Sequence, residues 1–385
     1  MVLAESHLSG QHEDCDERNV SEQERSIVSH SKRDRGTTMH PKPNHHRRAF
    51  LQAGVVGLTT AGIVGAARDQ ETPKNEGGIP LRPFGRHADE KVTVICLGGH
   101  HVGRAEDEKD DIRLIQQAID EGITFLDNAW DYHDGGSEER MGKALAEGGR
   151  RDKAFLMTKV CARDARTAQE QLEQSLRRLK TDRIDLWQFH EINYDNDPDW
   201  IFAPGGAIET ARKAREQGKV RYIGFTGHKD PSIHLKMLDA GFEWDAVQMP
   251  LTVLDGRYRS FQHQVLPVLR ERGIAAIGMK SLGGGPKIKG GIIPSNTGLT
   301  VDQCRRYVWS LPITTLVCGI DSPEILQQDL EMIRNFVPLD PAERLALEEE
   351  YVQVAGDGRF ELYKSSKQYD GPYHREQHGF ALDVG

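Results

Sequence analysis

Four polar residues, each at the end of a short apolar run, carry the chemistry legible in this chain. Asp127 follows Thr124-Phe125-Leu126 and precedes Tyr132 by five positions. Lys159 follows Phe155-Leu156-Met157-Thr158, and His190 follows Ile184-Asp185-Leu186-Trp187-Gln188-Phe189. Tyr132 to Lys159 spans 27 residues and Lys159 to His190 spans 31, about one strand–helix unit each. In a parallel barrel the C-terminal ends of successive strands converge on one mouth, so these side chains are expected to meet there. An acid, a phenol, an amine and an imidazole in one place suit proton transfer to a carbonyl. A phenol has an ordinary pKa of about 10, and a neighbouring Lys159 ammonium would bring Tyr132 down toward neutrality. Asp127 would hold that ammonium charged, and a neutral N–H of His190 would hydrogen-bond the carbonyl oxygen. The hydride must come from a cofactor, since no side chain supplies one.

The elements that must position these residues alternate in type. Strands are expected at Val92–Leu97, Thr124–Leu126, Phe155–Val160, Ile184–Phe189, Val220–Phe225, Ala246–Met249, Ile274–Met279 and Thr315–Cys318. Between and after them come helices at Asp110–Glu121, Glu138–Glu147, Thr167–Leu179, Ala207–Gln217, Ile233–Ala240, Val265–Arg272, Val301–Ser310 and Pro323–Asn335. Ile112, Ile115 and Ile119 share one face of the first helix, and Leu172, Leu176 and Leu179 one face of the third. Eight alternations predict an α/β fold, a (β/α)8 TIM barrel. An N-terminal hairpin, Leu81–Gly85 and Lys91-Val92 about a turn at Arg86–Glu90, should cap its bottom. An extra C-terminal helix, Pro341–Val354, follows the last unit. The domain bounds are 81–355 for the barrel and 356–385 for a tail expected to pack across the barrel or trail free.

Composition narrows the classes. The chain has 385 residues, 28% charged, 7% aromatic and a net charge of −9. It offers no basic face for nucleic acid and no run of 18 apolar residues for a membrane span. Five cysteines contain no C-x-x-C pair, and Cys96, Cys161 and Cys318 lie in or beside strands, where buried free thiols are expected. His45-His46 and His100-His101 have no partners at zinc spacing, so no metal site is read. Residues 1–46 are polar and aperiodic, a disordered leader by pattern. Arg47-Arg48, a weakly apolar run of 15 residues over Ala53–Ala67 and the small-residue end Gly65-Ala66-Ala67 resemble a bacterial twin-arginine signal. That resemblance covers 47–67 and implies passage through the Tat translocase to the periplasm. Met39 is an alternative start, and 68–80 reads as a linker.

The stretch Asp127-Asn128-Ala129-Trp130-Asp131-Tyr132, with Gly136-Ser137-Glu138-Glu139 and Gly142-Lys143-Ala144-Leu145 after it, resembles the aldo-keto reductase family. The resemblance runs from about Leu81 to Asn335. It implies NADP- or NAD-dependent reduction of a small-molecule aldehyde or ketone, with Asp127, Tyr132, Lys159 and His190 in the roles above. It also implies that Thr226 and Gln248 hold the nicotinamide carboxamide, although Gly227 stands where the family has an amide. Ser281-Leu282-Gly283-Gly284-Gly285 resembles the family's pyrophosphate loop, and Lys280 before it would neutralise a phosphate. Gly319-Ile320-Asp321, with Gln328, resembles the segment that holds the adenosine 2′-phosphate. There Asp321 stands where a basic residue or Ser is usual and Ile325 where a basic or amide residue is common. A carboxylate repels a 2′-phosphate and accepts from a free ribose hydroxyl, which weakens the NADP preference. His100, His101, Trp130, Asn193 and the loop 194–204 are candidates to line the substrate pocket. A hydrolase on the same barrel would want paired carboxylates or a metal cluster. A dinucleotide-binding regulatory subunit with little turnover is the alternative from another class.

Overall fold

The computed structural model describes residues 72–284 and 290–382. The leader, Arg47-Arg48 and the rest of the export-like segment lie outside them. Two short strands, β1 (Leu81–Phe84) and β2 (His87–Thr93), form an antiparallel hairpin. Eight parallel strands then close a barrel: β3 (Ile95–Leu97), β4 (Phe125–Leu126), β5 (Phe155–Val160), β6 (Ile184–Phe189), β7 (Val220–Thr226), β8 (Ala246–Pro250), β9 (Ala275–Met279) and β10 (Thr315–Cys318). The ring runs in sequence order, with β10 returning to β3.

Strand parity separates two apolar layers. Phe125, Phe155, Met157, Leu186, Ala246, Ala275 and Ile277 pack together inside the barrel, on Phe84 and Val92 of the hairpin. Their chain neighbours Leu126, Leu156, Trp187, Val247 and Ala276 join the larger layer under the helices. Side chains alternate with a period of two along a strand. Two residues beyond an inward position is therefore inward again, which places Asp127, Lys159, His190 and Gln248 on the interior face at the strand ends. Several helices begin at side-chain caps: Asp107 before Glu108–Asp120, Asp164 before Ala165–Arg178, and an Asp340/Glu343 capping box before Pro341–Ala355.

Several segments differ from expectation. The run Val92–Leu97 is two strands, because Thr93 pairs with Leu81 in the hairpin whereas Cys96 pairs with Phe125 and Val317 in the barrel. Only Gly85 and Arg86 remain for the hairpin turn. The helix read as Val265–Arg272 is present as Leu266–Glu271, with Pro267 in its first turn, and is preceded by a separate short helix, Phe261–Gln264. The loop after β6 holds a short helix, Asp197–Phe202, with Pro198 in its first turn. Residues 72–80 are not a free linker: Ile79 is fully buried, Lys74 bridges to Pro80, and Asn75 donates to the Gly122 carbonyl at 2.7 Å. The tail packs down. Short helices Leu362–Ser365 and Pro372–Gln377 bury Tyr363, Lys364 and His374.

Candidate active site

Lys159 is the hub of the four strand-end residues. Its ammonium donates to the Asp127 carboxylate, to the Asn128 carbonyl at 2.7 Å and to the Tyr132 hydroxyl at 3.2 Å. Lys159 and Asp127 are both buried. Tyr132 opens a 3-10 turn, Tyr132–Gly135, that follows the extended segment after β4 and swings the phenol back over Lys159. The ammonium also stands 4.7 Å from the phenol ring centroid. His190 approaches from β6, its ring 5.6 Å from that of Tyr132 and nearly perpendicular to it. The four residues meet in one place.

One expectation reverses. The Tyr132 phenol lies well above its ordinary range, because burial disfavours phenolate and the carboxylates of Asp127, Asp131 and Glu191 add negative potential. Lys159 does not overcome this, since its charge is already shared with Asp127 and a carbonyl. The phenol is held neutral, as a proton donor must be.

The surroundings of His190 escaped the sequence reading. Asp131 Oδ1 lies 3.0 Å from His190 Nδ1, and Cys161 Sγ lies 3.7 Å from the same nitrogen. Burial would raise the Asp131 carboxyl, but the facing His190 charge overrides it and holds it at about 2. Buried Arg163 ties the ends of β5 and β6 together. It donates to the Cys161 carbonyl at 2.7 Å, the His190 carbonyl at 2.8 Å and the Asp197 carboxylate at 2.7 Å. Glu191, at a left-handed φ of 48°, turns its carboxylate to His374 Nδ1 of the tail at 2.7 Å. No local signal marks these partners, because Cys161, His190 and His374 are far apart in sequence. A ring nitrogen of each histidine and the Cys161 sulfur lie within 4.8 Å of one another. The reading of no metal set, made from local spacing alone, missed this group.

Of the residues implied for the dinucleotide, Thr226 and Gln248 are register partners on β7 and β8 and both are buried. Gln248 Oε1 accepts from Gln188 at 2.8 Å, and among the described residues its amide N–H groups meet only a sulfur acceptor, Met279. Ser281 is buried at the end of β9, and Leu282 and Gly283 follow, with φ of 83° at Gly283 and 73° at Gly284. The tail lies on this loop: a Cβ at Gly283 would sit 3.1 Å from the Phe360 carbonyl oxygen. Gly285 lies outside the described residues. The Lys280 ammonium sits 5.1 Å from the ring centroid of Tyr369, which lies against Gly284, and 5.6 Å from that of Tyr363, and burial lowers its pKa. Gly319 is needed for close approach, because a Cβ there would meet the His101 ring at 2.5 Å. Asp321 and Gln328 are exposed, whereas Asp329 is buried against Arg305 at 2.9 Å, so that arginine is already engaged.

The substrate candidates split. His100 lies against Tyr132 at 5.2 Å between ring centroids, and its Nε2 accepts from Arg104 at 3.0 Å. Trp130 is fixed by its N–H to Gln174 at 2.7 Å and faces Tyr373 of the tail at 6.3 Å. His101 stands over Gly319 after β10, with its ring 5.7 Å from that of His100. Asn193 holds His228, accepting its backbone N–H at 3.0 Å, and Tyr194 stacks on His378. No helix among the described residues is long and apolar enough to cross a membrane.

Comparison with known proteins places this geometry. The model of the "Aldo/keto reductase family" matches residues 94–293. The "Uncharacterized oxidoreductase YrpG" of Bacillus subtilis (strain 168) is 33% identical over 231 residues, 54% of this chain and 68% of that protein. "Aldo-keto reductase YhdN" of the same organism is 33% identical over 195 residues, 47% of this chain and 54% of that protein. Among solved structures, aldo-keto reductase AKR11C1 from Bacillus halodurans superposes with a TM-score of 0.58 at 23% identity, over 70% of this chain and 96% of that one. An aldo/keto reductase from Klebsiella pneumoniae, in complex with NADP and acetate, has a TM-score of 0.56 at 23% identity, over 70% of this chain and 94% of that one. At such identities the structures share the fold.

Proposed function

This chain belongs to the aldo/keto reductase family of NAD(P)-dependent oxidoreductases, and we propose that it reduces an aldehyde or ketone to the alcohol with NADPH or NADH. The observation that carries the reading is the single ammonium of Lys159 on both Asp127 and Tyr132 at the strand ends. When bound, the dinucleotide supplies the hydride. Thr226 and Gln248 would hold its carboxamide, where Gln248 has donor capacity to spare, and Ser281 with Gly283 and Gly284 would meet its phosphates.

This chain's own residues do the rest. Tyr132 gives its hydroxyl proton to the carbonyl oxygen as negative charge grows there. Lys159 stabilises the phenolate left behind, and Asp127 keeps the ammonium in place. The His190 ring nitrogen not facing Asp131 is left to hydrogen-bond the carbonyl oxygen and orient it. Such proton donation is worth roughly 10²–10⁴-fold. The regulatory-subunit reading is disfavoured, because a binding module has no use for a phenol, ammonium and carboxylate joined in this way. A panel of aldehydes with NADPH and NADH tests the proposal: steady cofactor oxidation is expected, and tight binding without turnover would defeat it.

Export is a separate part of this reading, and it rests on Arg47-Arg48 and the run Ala53–Ala67 alone. Mass spectrometry of periplasmic protein should find a chain starting near Ala67 or Arg68, dependent on the arginine pair. An intact segment 47–66 in a purely cytoplasmic product would count against it.

A further inference from the structure

We propose that Cys161, His190 and His374 form a binding site for one thiophilic divalent ion of the Zn²⁺ or Co²⁺ class, which staples the C-terminal helix to the ends of β5 and β6. Three observations converge. The Cys161 sulfur and one ring nitrogen from each histidine lie within 4.8 Å of one another, and all three residues are buried. The Cys161 Sγ to His190 Nδ1 distance is 3.7 Å, against about 3.6 Å for a sulfur and a nitrogen on one tetrahedral zinc at ordinary bond lengths. Finally, His374 is 1% exposed, neither of its ring nitrogens has a hydrogen-bond partner among the described residues, and the Glu191 carboxylate lies 2.7 Å from Nδ1.

That last arrangement is what metal-binding histidines use: a carboxylate fixes one ring nitrogen and leaves the other as the ligand. Asp131 Oδ1, buried and 3.0 Å from His190 Nδ1, stands ready as a fourth, oxygen ligand. Thiol, imidazoles and carboxylate together select a soft or borderline ion over calcium or magnesium. Two effects oppose binding. Burial keeps the Cys161 thiol protonated, and Arg163 adds positive charge nearby. A coordinated ion outweighs the first, because it displaces the thiol proton outright. The ion would leave the other nitrogen of His190 free, so the proposal adds a site beside the reaction without altering the tetrad.

The test uses the full chain, reduced and stripped of metal with a chelator, then titrated with Co²⁺. One equivalent should bind with a near-ultraviolet thiolate-to-cobalt band, and Zn²⁺ should displace it. Cys161→Ala should lose the band, and Glu191→Gln should weaken affinity by roughly 10–100-fold. Zn²⁺ should also slow proteolysis within the tail. Where Cys161→Ala does not fold, X-ray absorption of the zinc-loaded parent chain decides, with one sulfur expected in the ligand shell. A shell of nitrogen and oxygen alone, or cobalt binding unchanged in Cys161→Ala, would mean only adventitious binding at surface histidines and overturn the proposal. None of these readouts depends on turnover, so their failure is separable from failure of the reductase reading.

Discussion

The ends of β4, β5 and β6 and the tail from Phe360 to His378 both reach the same mouth, and each buries a lysine among carboxylates. Lys159 is held by Asp127, 32 positions away and one strand over, and by the Asn128 carbonyl. Lys364 of the tail is held by Asp255 at 2.5 Å and Glu361 at 2.8 Å, all three almost wholly buried. The difference lies in what the charge faces. Lys159 has a third contact, the Tyr132 hydroxyl, and so can influence a reacting proton. Among the described residues Lys364 donates to its two carboxylates and the Tyr258 carbonyl and stands over the Phe261 ring, none of them a reacting group, and so serves as an anchor. The same ionic motif thus serves chemistry at one wall and attachment at the other.

The comparison breaks most severely at the reacting proton. Tyr132→Phe should cut carbonyl reduction by roughly 10²–10⁴-fold, while fluorescence titration finds dinucleotide affinity nearly unchanged. Turnover within about threefold of the parent would remove Tyr132 from the role. The unfolding midpoint should barely move, since Phe keeps the ring contacts.

Lys364→Met should behave in the opposite way. It strands the carboxylates of Asp255 and Glu361 in the interior, and breaking a buried pair costs about 3–5 kcal/mol. Denaturant unfolding should show that loss, and limited proteolysis should cut the tail first. A variant as stable as the parent would mean that the tail is held by its aromatic contacts instead.

Acid should separate the two regions less sharply. His228, which faces the tail at Asp370, and His234, behind β7, are kept neutral by burial, down to about 4 and about 3 from 6.5. Below pH 6.5 the unfolded chain binds more protons than the folded one, so stability falls as pH drops through that window. Unfolding midpoints measured from pH 7 to pH 4 should trace the decline, and His234→Phe should flatten it. An unchanged slope would show that other groups control acid unfolding.

The smallest effect is expected at the β10 loop. Asp321 is exposed, so a charge there is worth about 0.2–1 kcal/mol. Asp321→Lys should shift cofactor preference toward NADPH by a few-fold, read from affinities for both cofactors. A parent chain that binds NADPH a hundredfold tighter than NADH would refute the view that this loop weakens NADP preference.

What the sequence determined by itself was everything that repeats over short distances. Phe155–Val160, Ile184–Phe189 and Thr315–Cys318 were readable to the residue, because a buried parallel strand is a short, mostly apolar run bounded by polar residues. Period-two alternation then makes Asp127, Lys159 and His190 inward residues, so the strand-end set could be named before any coordinates. The tertiary structure alone decided which neighbours each charge would have. Lys280 met the rings of Tyr363 and Tyr369, more than 80 positions later in the chain. Tyr132 stayed neutral because burial and three nearby carboxylates outweigh an ammonium already shared with Asp127. Cys161, His190 and His374 meet only because the tail folds back over the mouth. Local periodicity is set by backbone geometry and can be read from a short window. Contact between distant segments is set by packing, and no short window contains it.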